Sequence, residues 1–201
     1  MIGELERLLT RYSILEGSKD SIENAYLALK NTYQRGGKLL VCGNGGSAAD
    51  SEHIVGELMK GFRKKRPIPE CERERIGELA DHLQGALPAI ALTGHAALST
   101  AFLNDVAPDM VFAQQVYGYG REGDALLAIT TSGNSRNVLN AVKVAKAKNL
   151  TVIGLTGPDG GELRTLSDVC ICVPGSCTAD IQELHLPVYH ALCAMLEDTF
   201  F

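Results

Sequence analysis

Apolar residues recur at helical spacing through the first 35 residues. Leu5, Leu8, Leu9, Tyr12 and Leu15 form one stripe, and Ile22, Tyr26, Leu29 and Tyr33 form a second. Two amphipathic helices are predicted there. They precede any strand they could cover, so the expectation is that residues 1–35 pack at a subunit interface. The pattern then changes to short apolar runs at 38–42, 89–92, 125–129, 151–155 and 169–173. Most are followed by a turn and a helical stretch, and that alternation predicts a parallel sheet with helices on both faces. The chain closes on a long apolar helix from about residue 179 to 201. The expected fold is therefore α/β, three layers, with a five-stranded parallel sheet, a leading helical pair and a long closing helix.

One stretch breaks the alternation. Residues 64–87 carry Pro67, Pro69 and the run Glu70-Cys71-Glu72-Arg73-Glu74-Arg75, which predicts a charged insertion made of a loop and a short exposed helix. Before it, Lys60, Arg63, Lys64, Lys65 and Arg66 form a basic run that reads as a solvated helix end. The chain of 201 residues is 45% hydrophobic with net charge −5. That suits one α/β domain and argues against a nucleic-acid partner held through phosphates. The six cysteines lack Cys-x-x-Cys spacing and read as reduced thiols. No apolar run approaches the roughly 20 residues that span a bilayer, and Met1 opens no signal-peptide pattern. A soluble, cytoplasmic protein is expected.

Three strand ends carry polar loops, and in open parallel sheets ligands bind beyond the carboxyl ends of the strands. The first loop is Cys42-Gly43-Asn44-Gly45-Gly46-Ser47. A glycine turn between strand and helix presents backbone N–H groups and a helix N-terminus, a seat for phosphate. The second is Thr93-Gly94-His95, with Asn104 and Asp105 further on. The third, Thr130-Thr131-Ser132-Gly133-Asn134-Ser135, precedes a helix at 136–148. It reads as an N-cap when taken alone, and as a phosphate cradle built without lysine when taken with the first loop.

His53 and Glu57 stand at i and i+4 on the helix after the first loop, sharing a face. Such a pair is a surface ion pair, or it serves proton transfer, or it binds a divalent metal, because zinc takes histidine nitrogen and glutamate oxygen. Gln182, Glu183, His185 and His190 on the closing helix are ordinary helix residues or further members of that site.

Taken together, Gly43-Asn44-Gly45-Gly46-Ser47, Thr130-Thr131-Ser132-Gly133-Asn134-Ser135 and Asp180-Ile181-Gln182-Glu183 resemble the sugar isomerase (SIS) domain. With His53, Glu57 and His190 added, the chain is similar to the phosphoheptose isomerases over nearly its whole length. That resemblance implies conversion of sedoheptulose 7-phosphate to D-glycero-D-manno-heptose 7-phosphate through an enediol, in nucleotide-heptose precursor synthesis. It implies Glu57 as base and His190 as acid. It places phosphate at Ser47, Thr131, Ser132 and Ser135, and sugar hydroxyls at Asn44 and Asp105. Gly45, Gly46, Asn104, Thr130 and Gln182 fall in the same substrate-binding set. It further implies one zinc ion per subunit on His53, Glu57, Gln182 and His190, and a homotetramer with sites at subunit interfaces.

The chain departs from the family pattern at Asp180, where members often carry arginine, and at Lys60-Gly61, where a basic residue follows the glutamate in a different register. These departures keep isomerisation of another phosphosugar open. A non-catalytic relative that binds a replication initiator is the other alternative; Glu57 and His190 together are what such a protein does not need. Gln182 and His190 are eight residues apart, roughly 12 Å of helical rise. Joint ligation requires converging side chains, an irregular helix start, or two subunits.

Overall fold

The computed structural model describes residues 2–201; Met1, the first residue of the expected domain, lies outside the described residues. The elements follow in the order α1 (Ile2–Arg11), α2 (Lys19–Gln34), β1 (Leu39–Gly43), α3 (Gly46–Met59), α4 (Glu70–Ile76), β2 (Ala89–Ala91), α5 (Ala96–Asp105), α6 (Val111–Tyr119), β3 (Ala125–Thr130), α7 (Arg136–Ala147), β4 (Thr151–Thr156), α8 (Gly161–Leu166), β5 (Val169–Cys172) and α9 (Thr178–Phe200). Short 3-10 turns span Ser13–Ser18, Gly77–His82 and Pro108–Met110.

The five strands are parallel in the order β2-β1-β3-β4-β5. All residues of β1 and β3 are buried, as expected for strands covered on both faces. Asp124 fixes where these two central strands begin. Its carboxylate accepts from the backbone N–H groups of Lys38 at 2.9 Å and Arg121 at 2.8 Å. The chain leaves β1 toward β2 on one side and returns to β3 on the other. A crevice forms where strand order reverses in this way, between the carboxyl ends of β1 and β3.

Two cores lie on either side of the sheet. Helices α1, α2, α3 and α9 supply one, with Leu15, Ile22, Tyr26, Ile54, Leu58, Tyr189 and Leu192 buried in it. Helices α6, α7 and α8 supply the other, through Phe112, Val116, Val138, Val142 and Leu163. The apolar stripes of the leading helices face their own domain. Leu5, Leu8, Leu9, Ile22, Tyr26, Leu29 and Tyr33 are buried, and α1 and α2 pack on α9 and β5 of the same chain. Their stripes are consumed by the domain's own core.

The basic run departs from expectation. Lys60, Arg63, Lys64 and Lys65 are exposed, but Arg66 is buried, paired with Glu197 of α9 at 2.8 Å. The insertion otherwise follows expectation, since α4 buries no residue. Among the described residues no helix is long and apolar enough to cross a membrane.

Candidate active site

The first loop turns tightly from β1 into α3. A Cβ on Gly43 would stand 2.7 Å from the Ser47 side chain, so only glycine lets the strand end and helix start approach this closely. Gly45 takes φ +56°, a conformation that disfavours side chains. The Ser47 N–H donates to the Asn44 carbonyl at 3.0 Å, and Ala48 N–H to Gly45 at 3.0 Å.

The third loop is knitted by its own hydroxyls. Thr130 Oγ1 pairs with Ser135 Oγ at 2.7 Å, and Asn134 N–H donates to Ser132 Oγ at 3.1 Å. The Gly157 N–H donates to the Thr131 carbonyl at 3.1 Å. Gly133 has φ +67°, and a Cβ there would run into the Gly160 carbonyl. The two loops are joined across the crevice by a reciprocal amide pair. Asn44 Nδ2 donates to Asn137 Oδ1 at 2.9 Å, and Asn137 Nδ2 donates to Asn44 Oδ1 at 2.8 Å. Two helix N-termini, those of α3 and α7, therefore flank one opening, a setting that attracts an anion.

The chemistry-bearing groups lie one to three turns along α3. Helices α3 and α9 run side by side in the same direction. A Cβ on Gly46 would meet Gln182 Nε2 at 2.6 Å, and seven residues further along both helices His53 meets Tyr189. Asp50, His53 and Glu57 share the α3 face turned to α9. Tyr189 Oη lies 3.1 Å from Asp50 Oδ1 and 3.0 Å from His53 Nδ1. Burial, and then the Asp50 carboxylate, push the Tyr189 phenol up, so it keeps its proton. A carboxylate only accepts, so the phenol donates to Asp50 and accepts from His53 Nδ1–H.

That arrangement leaves the His53 Nε2 lone pair facing the opening. It lies 3.2 Å from Glu57 Oε1 and 3.4 Å from His190 Nε2. Lys60 Nζ donates to Glu57 Oε2 at 3.0 Å. Burial, and then the neighbouring His53, hold His190 below the ordinary imidazole value, with Glu57 opposing. A cavity of about 320 Å³ opens beside His190 between α1 and α9, with Arg7, Arg11 and Arg63 in its wall.

The donor set suits zinc in part. Donors at roughly 2.0–2.1 Å from a tetrahedral zinc lie about 3.3 Å from one another, and the two distances at His53 Nε2 match that edge. No set of three His, Cys, Asp or Glu side chains closes into a metal site among the described residues. Gln182 stands beside Gly46, two turns before His190.

Comparison with known proteins accounts for this arrangement. The chain is 46% identical over 175 residues to the phosphoheptose isomerase of Thiobacillus denitrificans, spanning 86% of this chain and 80% of that protein. It superposes on the phosphoheptose isomerase structure from Neisseria gonorrhoeae with TM-score 0.73 and 36% identity, over 95% of this chain and 98% of that one. The Francisella tularensis structure gives TM-score 0.77 and 34% identity, over 96% and 94%. The SIS domain model matches residues 3–72 and 73–157. This chain belongs to the SIS domain family, among its phosphoheptose isomerases.

The SIS framework brings Asn44, Gly45, Gly46, Ser47, Gln182, Thr130, Thr131, Ser132 and Ser135 around the β1–β3 crevice, with His53, Glu57 and His190 along its α3–α9 wall. It does not bring Asn104 and Asp105 there. Asn104 Nδ2 donates to Asp105 Oδ1 at 2.8 Å at the far end of α5, and neither side chain bonds to the loops among the described residues. Asp180 faces its own turn, accepting from Ser176 N–H and Oγ at 3.1 and 2.6 Å. His185 is fully buried rather than at the site. Sequence reasoning missed Asp50, Tyr189 and Asn137. Asp50 carried a readable signal, lying three residues before His53 on the same face. Tyr189 and Asn137 carried none, because what they touch is 136 and 93 residues away.

Proposed function

We propose that this chain converts sedoheptulose 7-phosphate to D-glycero-D-manno-heptose 7-phosphate, supplying nucleotide-heptose synthesis. The observation that carries the reading is the meeting of His53, Glu57 and His190 beside two loops that both suit a phosphate. The hydroxyls of Ser47, Thr131, Ser132 and Ser135 and the amides of two helix starts take the phosphate. Its binding energy orients the sugar. Asn44 and Gln182, at the head of α3, are placed to meet sugar hydroxyls.

Aldose–ketose exchange moves a proton between C1 and C2 through an enediol. The Glu57 carboxylate takes that proton and returns it to the neighbouring carbon. Its Oε2 already faces the Lys60 ammonium, a positive charge beside the developing enediolate. His190, neutral near pH 7, serves the substrate oxygens by donating and recovering a ring N–H proton, as a neutral imidazole can. His53, Glu57 and His190 would have to draw together to hold a zinc ion, which would then polarise the substrate carbonyl. Gln182 joins that set only from another subunit or after a change in α9.

We also propose a cytoplasmic homotetramer with sites at its interfaces. Helix α5 buries no residue, and Leu98, Leu103 and Val106 are exposed along it. A second subunit on that face covers them and carries Asn104 and Asp105 toward a neighbouring crevice. The six free thiols suit a reducing compartment.

The test is incubation with sedoheptulose 7-phosphate, with and without added Zn²⁺, following aldoheptose 7-phosphate by NMR. Conversion that vanishes in Glu57→Gln while phosphosugar binding survives supports the reading. A tetramer that binds the phosphosugar without converting it, in the wild type, overturns it.

A further inference from the structure

One buried ion pair lies outside the crevice and touches both halves of the catalytic wall. Arg66 belongs to the strap that leaves α3, and Glu197 lies on α9; their side chains are 0% and 1% exposed. Arg66 Nε donates to Glu197 Oε1 at 2.8 Å. The rest of the guanidinium turns to the end of α3. Nη1 donates to the Leu58 carbonyl at 2.7 Å, and Nη2 to the carbonyl of Glu57 itself at 3.0 Å. Carbonyls in the last turn of a helix have no partner within it, so Arg66 caps this turn; it shares the Leu58 carbonyl with the Leu87 N–H at 3.0 Å, and holds that of Glu57 by its own Nη2.

Glu197 gathers the strap from the other side. Its Oε1 accepts Phe62 N–H at 2.8 Å, and its Oε2 accepts Arg63 N–H at 2.8 Å. The Phe62 ring held there packs on the His190 ring, with centroids 5.4 Å apart. Phe201 covers the guanidinium, 4.8 Å from ring centroid to Cζ. A buried ion pair is a poor source of stability, because desolvating both charges offsets their attraction. What this one supplies is geometry. It ties the backbone of Glu57 to α9 seven residues beyond His190, and presses an aromatic ring on His190 through the same strap.

We propose that the Arg66–Glu197 pair positions Glu57 against His190, and so sets the rate of proton transfer without touching substrate. The proposal rests on the isomerase reading. Displacing a reacting group by about 1 Å costs roughly 100-fold in rate, and loss of the guanidinium releases the carbonyl of Glu57 itself.

Two variants of the full chain test it. Arg66→Lys keeps the charge facing Glu197 but gives up the planar fork that reaches two carbonyls. The double variant Arg66→Met with Glu197→Leu replaces the pair by apolar side chains, an exchange that buried pairs often tolerate. Both are assayed for kcat and KM on sedoheptulose 7-phosphate, for phosphosugar Kd by calorimetry, for thermal unfolding, and for hydrogen exchange over residues 55–63. Expected are unchanged Kd, cooperative unfolding, and kcat lower by roughly 10- to 100-fold, with Arg66→Lys the milder. Faster exchange confined to the end of α3 accompanies the loss. Wild-type kcat in a folded variant overturns the proposal, as does a kcat loss matched by an equal loss of phosphosugar affinity. If the double variant does not fold, Arg66→Lys decides on the same criteria. If the wild type itself does not turn the sugar over, the isomerase reading fails; exchange over residues 55–63 then decides alone, and unchanged exchange in Arg66→Lys overturns the positioning role.

Discussion

Tyr189 Oη accepts a hydrogen bond from His53 Nδ1–H across 3.0 Å while donating one to Asp50 at 3.1 Å, so a buried phenol on α9 decides which nitrogen of an α3 histidine faces the crevice. The Nδ1–H tautomer leaves Nε2 as the acceptor beside Glu57 and His190. Tyr189→Phe removes that hold while keeping the ring that fills the core. Losing such an outer hydrogen bond costs roughly 10- to 100-fold in activity or metal affinity. The expected result is a kcat reduced by that factor with KM unchanged. Nitrogen-15 NMR of the imidazole should show the Nδ1–H tautomer in the wild type and a mixture in the variant. Wild-type turnover together with an Nε2–H His53 in the native protein contradicts this assignment.

The amide pair between Asn44 and Asn137 makes a different prediction, because it acts on binding rather than on the proton. Each loop is internally braced, and this amide pair crosses the crevice at 2.9 and 2.8 Å. Asn137→Ala leaves α7 intact and frees Asn44 from its register. A net hydrogen-bond contribution of about 1 kcal/mol corresponds to roughly a fivefold rise in KM, with kcat within a factor of about two of wild type by the same conversion. Steady-state kinetics on the phosphosugar measures both.

The parts of this molecule that depend on local pattern were legible in the sequence. All five strands fall within a residue or so of their apolar runs, since each run is bounded by glycine or polar turn residues, and the central strands β1 and β3 are buried throughout. The crevice loops were legible for the same reason: Gly43 and Gly133 are required by approaches that any side chain would block. What failed was whatever depends on a distant partner. Arg66 reads as one more cation in a basic run, and its burial is decided by Glu197, 131 residues away. The stripes of α1 and α2 were legible, whereas the part of their own chain that they meet, on α9 and β5, is something no periodicity in the first 35 residues can announce. Gln182 was grouped with His190 by family pattern; within one chain it stands beside Gly46.

The environment of His190 sets the acid limb of the rate profile. Burial and then His53 lower its proton affinity, with the carboxylate of Glu57 opposing. The working form near neutral pH is then the neutral imidazole. Activity should hold steady as pH falls from 7 through 6.5, and decline only below that as the ring protonates. A profile of kcat/KM between pH 5 and 8 tests it. A rate that rises as pH drops through 6.5 shows that the imidazolium is the active form and removes the neutral-imidazole role.

His185 provides a stability prediction that is independent of catalysis. It lies on α9 with no exposed surface, and among the described residues neither ring nitrogen meets a partner in good hydrogen-bond geometry. Burial lowers it from 6.5 to about 4, with the Thr156 backbone opposing weakly. The folded state therefore binds fewer protons than the unfolded state between those two values. The contribution of the neutral ring is complete above pH 6.5 and is lost progressively as pH falls toward 4. Over that window it amounts to about 3 kcal/mol. Urea unfolding at pH 7 and pH 4.5 should show the wild type losing more stability than His185→Leu, which has no proton to take up at this position and retains most of the buried volume. Equal losses in the two proteins would mean that water or a bonding partner reaches the ring in solution.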